Sequence, residues 1–212
     1  MNWYLIGAVG LGVAALSSPP GQRTVRTVTH KAKKLVSAKP STSSKYLPAE
    51  LEAFRGPIER SSVANGVPFH LVAALILTES SGRVNARAVN RVPEWIIGNQ
   101  KLDGARQSGW TDQDLSNAHG LTQVQGATAW DIGFRGSVSS LYDPARNIET
   151  GMRILRRYHS RFKAGPDLDG WRYSLMAYNG GPAAATARTP AVVLYAAKIL
   201  DLAEKMQKKG DA

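Results

Sequence analysis

The sequence predicts a mainly α-helical domain, and three observations predict it. Beyond Pro48 apolar residues recur at helical spacing in one segment after another, as in Ile148, Met152, Leu155 and Tyr158. No stretch alternates apolar and polar residues over a useful strand length, and there is no internal repeat. From Pro68 to Gly82 the chain reads PFHLVAALILTESSG, apolar on every side of a helix until Glu79, which is the pattern of a helix made for the interior. With 212 residues and 43% hydrophobic composition, the chain has material for one core of ordinary size plus appendages.

The first appendage is residues 1–20, whose apolar run from Trp3 to Leu16 is ended by Ser17, Ser18 and a proline pair. The run is shorter than the ~20 residues that cross a bilayer, and it suits the apolar region of a secretory signal cleaved near Ala15-Leu16-Ser17. No Lys or Arg precedes it and the basic residues follow it, which equally suits a short uncleaved anchor with its cationic side inside a cytoplasm or a virion. Residues 21–47 mix Lys, Arg, Ser, Thr and Pro without periodicity and read as a basic flexible tether. The folded domain is expected over 48–212.

Within it, Leu51, Phe54 and Ile58 share a helical face that Gly56-Pro57 should interrupt, and the segment should stop at Asn65-Gly66. The buried helix follows, with Pro68 as its first residue and Gly82 as its cap. Residues 83–118 are polar and broken, a long excursion in which Trp95, Ile96, Ile97 and Trp110 are the main large apolar groups. A segment then runs from Gly120 through Trp130 and Ile132, and Asp143-Pro144 opens a helix. Trp171 to Tyr178 is a further apolar helix, stopped by Asn179-Gly180-Gly181-Pro182. The last, Val192 to Met206, should turn Leu194, Ile199, Leu200 and Leu202 inward.

Composition excludes some chemistry. There is no cysteine, so disulfides, thiol nucleophiles and thiolate metal sites are absent. His70 and His119 have no acids at ligand spacing, so neither a metal nor another cofactor is expected. The net charge of +11 sits mostly in the tail, since residues 1–46 hold seven Lys or Arg and no acid. Such a tail meets anionic lipid, an anionic wall polymer or nucleic acid, but the chain lacks the interleaved aromatics of a nucleic-acid binder, and that partner is not expected.

Glu79 is the candidate for catalysis. Val72, Leu75 and Ile76 lie on its own helical face, so its carboxyl emerges from apolar surroundings at the negative end of a helix dipole. Both conditions favour the protonated form, as a general acid needs; the competing description is an exposed Glu at an ordinary helix end.

Three separated segments, Glu79-Ser80, Gly120-Leu121-Thr122-Gln123 and Ala177-Tyr178-Asn179-Gly180-Gly181, together resemble the soluble lytic transglycosylase (SLT) family, whose domain is similar to goose-type lysozyme. Leu141-Tyr142-Asp143-Pro144 with Asn147-Ile148 and Gly151 resembles the family's helix-opening pattern between the second and third. The resemblance covers roughly residues 50–207 and implies a lysozyme-like helical domain with a substrate groove. It implies cleavage of the MurNAc-GlcNAc β-1,4 bond of peptidoglycan with a 1,6-anhydromuramoyl product, Glu79 acting alone as acid and then base. Substrate contacts would come from Ser80, Asn90, Gly120, Leu121, Thr122, Gln123, Tyr178 and Asn179, with Tyr178 orienting Glu79 or the acetamido group. Thr122 departs from the family's usual Met, and residues 91–117 look inserted. That insertion is expected to form a wall or lid, in which Trp95 and Trp110 either stack on sugar or pin the loop to the core.

Two alternatives stand beside this reading. A goose-type-lysozyme-like hydrolase would need a base to hold water, for which Asp103, Asp112, Asp114 and Asp131 are available. A non-catalytic wall-binding or virion structural protein would keep the groove without using Glu79. The expected partner is the peptidoglycan glycan strand, with membrane, virion or secretion-complex association through residues 1–47. The expected location is extracytoplasmic, periplasmic or anchored to the inner membrane, or the virion.

Overall fold

The computed structural model describes residues 45–162, 165 and 167–211, so the apolar leader 1–20 and most of the tether 21–47 lie outside the described residues. The described part is mainly helical, as predicted. A 3-10 turn, Ala49–Phe54, runs directly into α1 (Arg55–Asn65). Gly56-Pro57 does not interrupt that helix: both fall in its first turn, where proline's missing N–H has no bond to make. Gly66 ends α1 in the left-handed conformation, φ 60°.

Helix α2 (Phe69–Ser80) is the buried helix, and Leu71 through Ile76 expose no surface at all. Pro68 precedes it rather than opening it, and Ser81, φ 53°, takes the cap expected of Gly82, which follows with φ 76°. Strand β1 (Arg87–Ala88) comes next, then two short helices, α3 (Asp103–Gln107) and α4 (Asp112–Ser116), and then β2 (Ala118–His119) and β3 (Val124–Gln125). The strands form one antiparallel sheet in the order β1-β2-β3, with Arg87 opposite His119 and Ala118 opposite Gln125. Two-residue strands leave no alternation to read in a sequence. Helix α5 (Gly126–Asp131) follows.

Three long helices complete the chain: α6 (Pro144–Phe162), α7 (Arg172–Ala187) and α8 (Pro190–Gly210). The expected stop at Asn179-Gly180-Gly181-Pro182 is a break inside α7, where Gly181 adopts φ 79°, ψ 166° and Pro182 restarts the helix. A Cβ on Gly180 would lie 2.5 Å from Val192 Cγ1, so its lack of a side chain sets how closely α8 approaches α7. In α8 the inward stripe is Val192, Ala196, Ile199, Ala203 and Met206; Leu194, expected inside, is 70% exposed.

These elements enclose two cores. The first is largely aliphatic and joins α1, α2, α6, α7 and α8 through residues such as Ile58, Leu75, Met152, Leu175 and Ile199. The second gathers Ile96, Leu102, Trp110, Leu115, Val124, Trp130 and Phe134 from the excursion, β3 and the α5 region. Tyr158 of α6 and Tyr178 of α7 pack against both. The folded part also starts before Pro48, because Leu47 is only 5% exposed and belongs to the first core. Beside it, Tyr46 meets the end of α8: its ring lies 5.1 Å from Lys209 Nζ, and its backbone N is 3.0 Å from where a Cβ on Gly210 would be.

Candidate active site

The geometry around Glu79 follows from three helix contacts. Helix α2 carries Glu79 at its last turn, α8 packs along α2, and α7 packs on α8 and α6. The Tyr195 hydroxyl of α8 donates to Glu79 Oε1. Among the described residues no protein group bonds Oε2, so one carboxyl oxygen is held and the other is available. Burial pushes the Glu79 carboxyl above the ordinary carboxylate range, opposed by the Tyr195 hydrogen bond and by the positive charge of Lys198. The carboxyl therefore has the protonation bias of an acid.

Tyr178 stands close enough to Glu79 for the carboxylate's charge to raise its pKa, on top of the larger effect of burial. Its hydroxyl does not orient Glu79 as expected, since it donates to the Thr122 carbonyl at 2.8 Å. It ties α7 to the turn at 120–123, and Tyr195, which sequence reasoning missed, is the tyrosine on Glu79. The side chain of Gly151 on α6 could be nothing larger than hydrogen: a Cβ there would be 2.5 Å from Thr122 Oγ1 and 3.1 Å from the Tyr178 hydroxyl.

The turn itself is built around Asn147. Its Oδ1 accepts from Thr122 N and Thr122 Oγ1, both at 2.8 Å, while its Nδ2 donates to the carbonyls of His119 and Leu141, each at 2.8 Å. Gly120, φ 72°, lets this amide approach, because a Cβ would sit 2.3 Å from Nδ2. Gln123 holds a left-handed φ of 48°, and its Nε2 donates to Ala86 and Gly120 carbonyls at 3.0 and 2.8 Å. That leaves Oε1 as its acceptor, on a residue held in a conformation that costs energy.

Several residues expected to touch substrate are placed otherwise. Leu121 and Thr122 are fully buried; they carry the turn from beneath and offer no side chain to a ligand. Ser80 is buried with its hydroxyl returned to the Ile76 carbonyl, the local bond open to a Ser in a last helical turn. Asn90 lies at the base of the excursion, its Nδ2 on the Ser116 carbonyl and its backbone N–H on Asn117 Oδ1. Asn179 is exposed just before the α7 break.

For Trp110 the sugar-stacking reading is corrected and the core-pinning one stands. Trp110 is 2% exposed, meets the rings of Trp130, Phe134 and His119 edge-on at 6.2–6.5 Å, and donates from Nε1 to the Gly136 carbonyl at 3.1 Å. It is core, and cannot stack on sugar. Trp95, 50% exposed, keeps a free face. The ends of the excursion are tied together by the pairing of β1 with β2 and by Gly120 N–H on the Ala86 carbonyl at 2.8 Å. His119 is structural: its Nε2 donates to the Asp114 carbonyl, so Nδ1 accepts from Tyr142, and burial lowers its pKa.

The four aspartates available to a hydrolase are all engaged. Arg106 bonds Asp103 at 2.7 Å and Asp112 at 2.8 Å, Arg157 meets Asp131 at 2.6 Å, and Asp114 closes the capping box of α4 with Arg87 3.6 Å away.

Set beside known families, residues 56–190, more than half of the chain, match the family described as Transglycosylase SLT domain. No curated protein matches the chain.

Proposed function

The chain belongs to the transglycosylase SLT domain family, and on that premise we propose that it is a peptidoglycan lytic transglycosylase that uses Glu79 alone. The observation that carries the finer reading is the environment of Glu79: a carboxyl biased toward its protonated form, one oxygen fixed by Tyr195, the other available. The engagement of Asp103, Asp112, Asp114 and Asp131 elsewhere supports the absence of a second carboxylate from the chemistry.

In this mechanism protonated Glu79 delivers its proton to the bridging oxygen between MurNAc and GlcNAc. As the C1–O bond breaks, the substrate's own N-acetyl carbonyl oxygen closes on C1. The Glu79 carboxylate, still held by Tyr195, then takes the proton of the MurNAc 6-hydroxyl. That oxygen displaces the acetamido oxygen from C1, giving the 1,6-anhydro ring and restoring protonated Glu79 without consuming water. Tyr178 fixes the 120–123 turn against α7, so Gln123 Oε1 and the backbone beside it are the nearby acceptors for an N-acetyl N–H. With this reading we propose an extracytoplasmic or virion location, residues 1–20 serving as signal or anchor.

Mass spectrometry of muropeptides released from purified sacculi tests it. Anhydro ends are the expected product. Reducing ends would make the chain a hydrolase, and no release at all would make it a binding protein.

A further inference from the structure

Strand β1 is an edge of its sheet, and its two sides are used differently. The side toward β2 is bonded: the Ala86 carbonyl accepts from Gly120 N–H at 2.8 Å, and Ala88 stands opposite Ala118 in the ladder. Asn90 continues it, its N–H on Asn117 Oδ1 at 3.1 Å and its carbonyl accepting from Gln113 Nε2 at 2.8 Å. With bonds at 86, 88 and 90 on that side, the N–H and C=O groups of Arg87 and Val89 point the other way. Among the described residues no protein group bonds them. Sheet edges of this kind are usually covered or blunted, yet Arg87, Ala88 and Val89 are exposed, Val89 to 73%.

The open edge starts at the candidate site. The Ala86 carbonyl, one residue before Arg87, also accepts from Gln123 Nε2 at 3.0 Å, so the edge continues the 120–123 turn. It is positively charged as well. Residues 80–93 hold Arg83, Arg87 and Arg91 and no acid, and all three arginines are exposed. Asp114, 3.6 Å from Arg87, also serves the capping box of α4.

Resting on the reading of the chain as a peptidoglycan-cleaving enzyme, we propose that the open edge at Arg87 and Val89 binds the stem peptide of its substrate. The amides of a stem offer N–H and C=O groups to the unbonded backbone, as any peptide laid on a sheet edge does. Its free carboxylates meet the arginines, a complement that the uncharged sugars do not supply. Two amide contacts are all that is asked, because a stem of mixed chirality and side-chain linkages keeps no long strand register. The edge touches no reacting atom; it selects glycan that carries peptide over bare glycan.

The test follows amide hydrogen exchange in the full chain carrying Glu79→Gln, with and without an excess of soluble muropeptide, the disaccharide bearing its stem. The Arg87 and Val89 amides should exchange fast in the free protein and about ten-fold slower with muropeptide, while Ala88, already in the ladder, changes little. The disaccharide without peptide should protect neither. In the wild-type chain kcat/KM should be about ten-fold higher on glycan strands with stems than on strands stripped of them, the worth of two hydrogen bonds. Val89→Pro deletes an N–H that bonds nothing in the protein, and should remove most of that preference. Unprotected Arg87 and Val89 amides would overturn the proposal, and anhydro products from the same wild-type chain would leave the reading of Glu79 standing. Equal protection by the bare disaccharide would make the edge a sugar site, and protection that grows with protein concentration alone would give it to a second copy; either overturns the stem assignment. Protection by muropeptide without any cleavage by wild type would keep the edge and sink the reading of Glu79.

Discussion

The core beneath Glu79 and the core of the excursion differ in material and in what they hold. The first is mostly Leu, Ile, Val and Ala on long helices, with α2 buried on every side and α6 and α8 reaching it along regular stripes. The second is assembled from five-residue helices and joined by Trp110, Trp130 and Phe134 meeting at their edges, with Arg106 binding two carboxylates and two backbone carbonyls in one place. Regular helices hold a carboxyl at a fixed depth, because every turn is located by its neighbours. An aromatic knot with irregular connections holds a shape, and can present different loops without disturbing the helix that carries the acid. On the proposed function the chemistry belongs to the first region, and the irregular surface beside it to the second.

The largest effect expected is confined to the first region. Glu79→Gln should leave the fold intact and lower glycan cleavage by about 10²–10⁴-fold. Its stability should also depend on pH. The raised pKa of Glu79 means its contribution is present below the ordinary carboxylate range and is lost as pH rises through the elevated value. Glu79→Gln should therefore melt above wild type at neutral pH, with the difference closing in acid; a wild-type advantage at pH 7 would contradict the burial argument.

The second region should respond in the opposite currency, stability without chemistry. Trp110→Ala removes an indole from the aromatic knot and should cost about 3–5 kcal/mol, seen in denaturant unfolding. If this variant melts like wild type, the second core is not a core.

Tyr195→Phe should come next. Losing a hydrogen bond to a carboxylate, worth about 1.5–3 kcal/mol, should slow cleavage roughly 10- to 100-fold and raise the Glu79 midpoint. Unchanged rates would remove Tyr195 from the site. Gly180→Ala drives a methyl toward Val192 and should cost about 1–3 kcal/mol by overpacking, while moving α8 and its Tyr195 away from Glu79; the two effects should be correlated in melting and rate. Trp95→Ala should be the mildest in stability, within about 0.5 kcal/mol, while raising KM on glycan strands. A Trp95→Ala variant with unchanged KM would separate the excursion from substrate.

The legibility of the sequence divides along the same line. The first region could be read because its signal is periodic: α2 and the α6 stripe are where hydrophobicity places them, and Glu79 stands out as the polar end of an apolar helix. In α8 the expected Ile199 and Leu200 are buried and Leu202 packs against the core, while Leu194 is exposed. The inward set relies on Ala196 and Ala203, whose small side chains pack closely but add little to a hydrophobic pattern. Read with those alanines, Tyr195 falls beside the stripe and faces α2. In the second region nothing periodic exists to read. Strands of two residues and helices of five hold little more than one period, too short for any repeat to show, so Trp110 reads as an isolated aromatic on a loop, although its indole closes a core. The 120–123 turn was found by resemblance, but burial of Leu121 and Thr122 follows from Asn147 and Gly151, which lie more than twenty residues away in sequence.

The meeting of Tyr46 with Lys209 and Gly210 has a topological consequence. From residue 45 to residue 211 the chain nearly closes on itself, its first and last described turns lying side by side on the face where His70 also sits. Such a fold is a ring lacking one short link. A few flexible residues joining 211 to 45 would complete it, and the ring could then be opened elsewhere, at an exposed turn such as Gly98, without cutting either core.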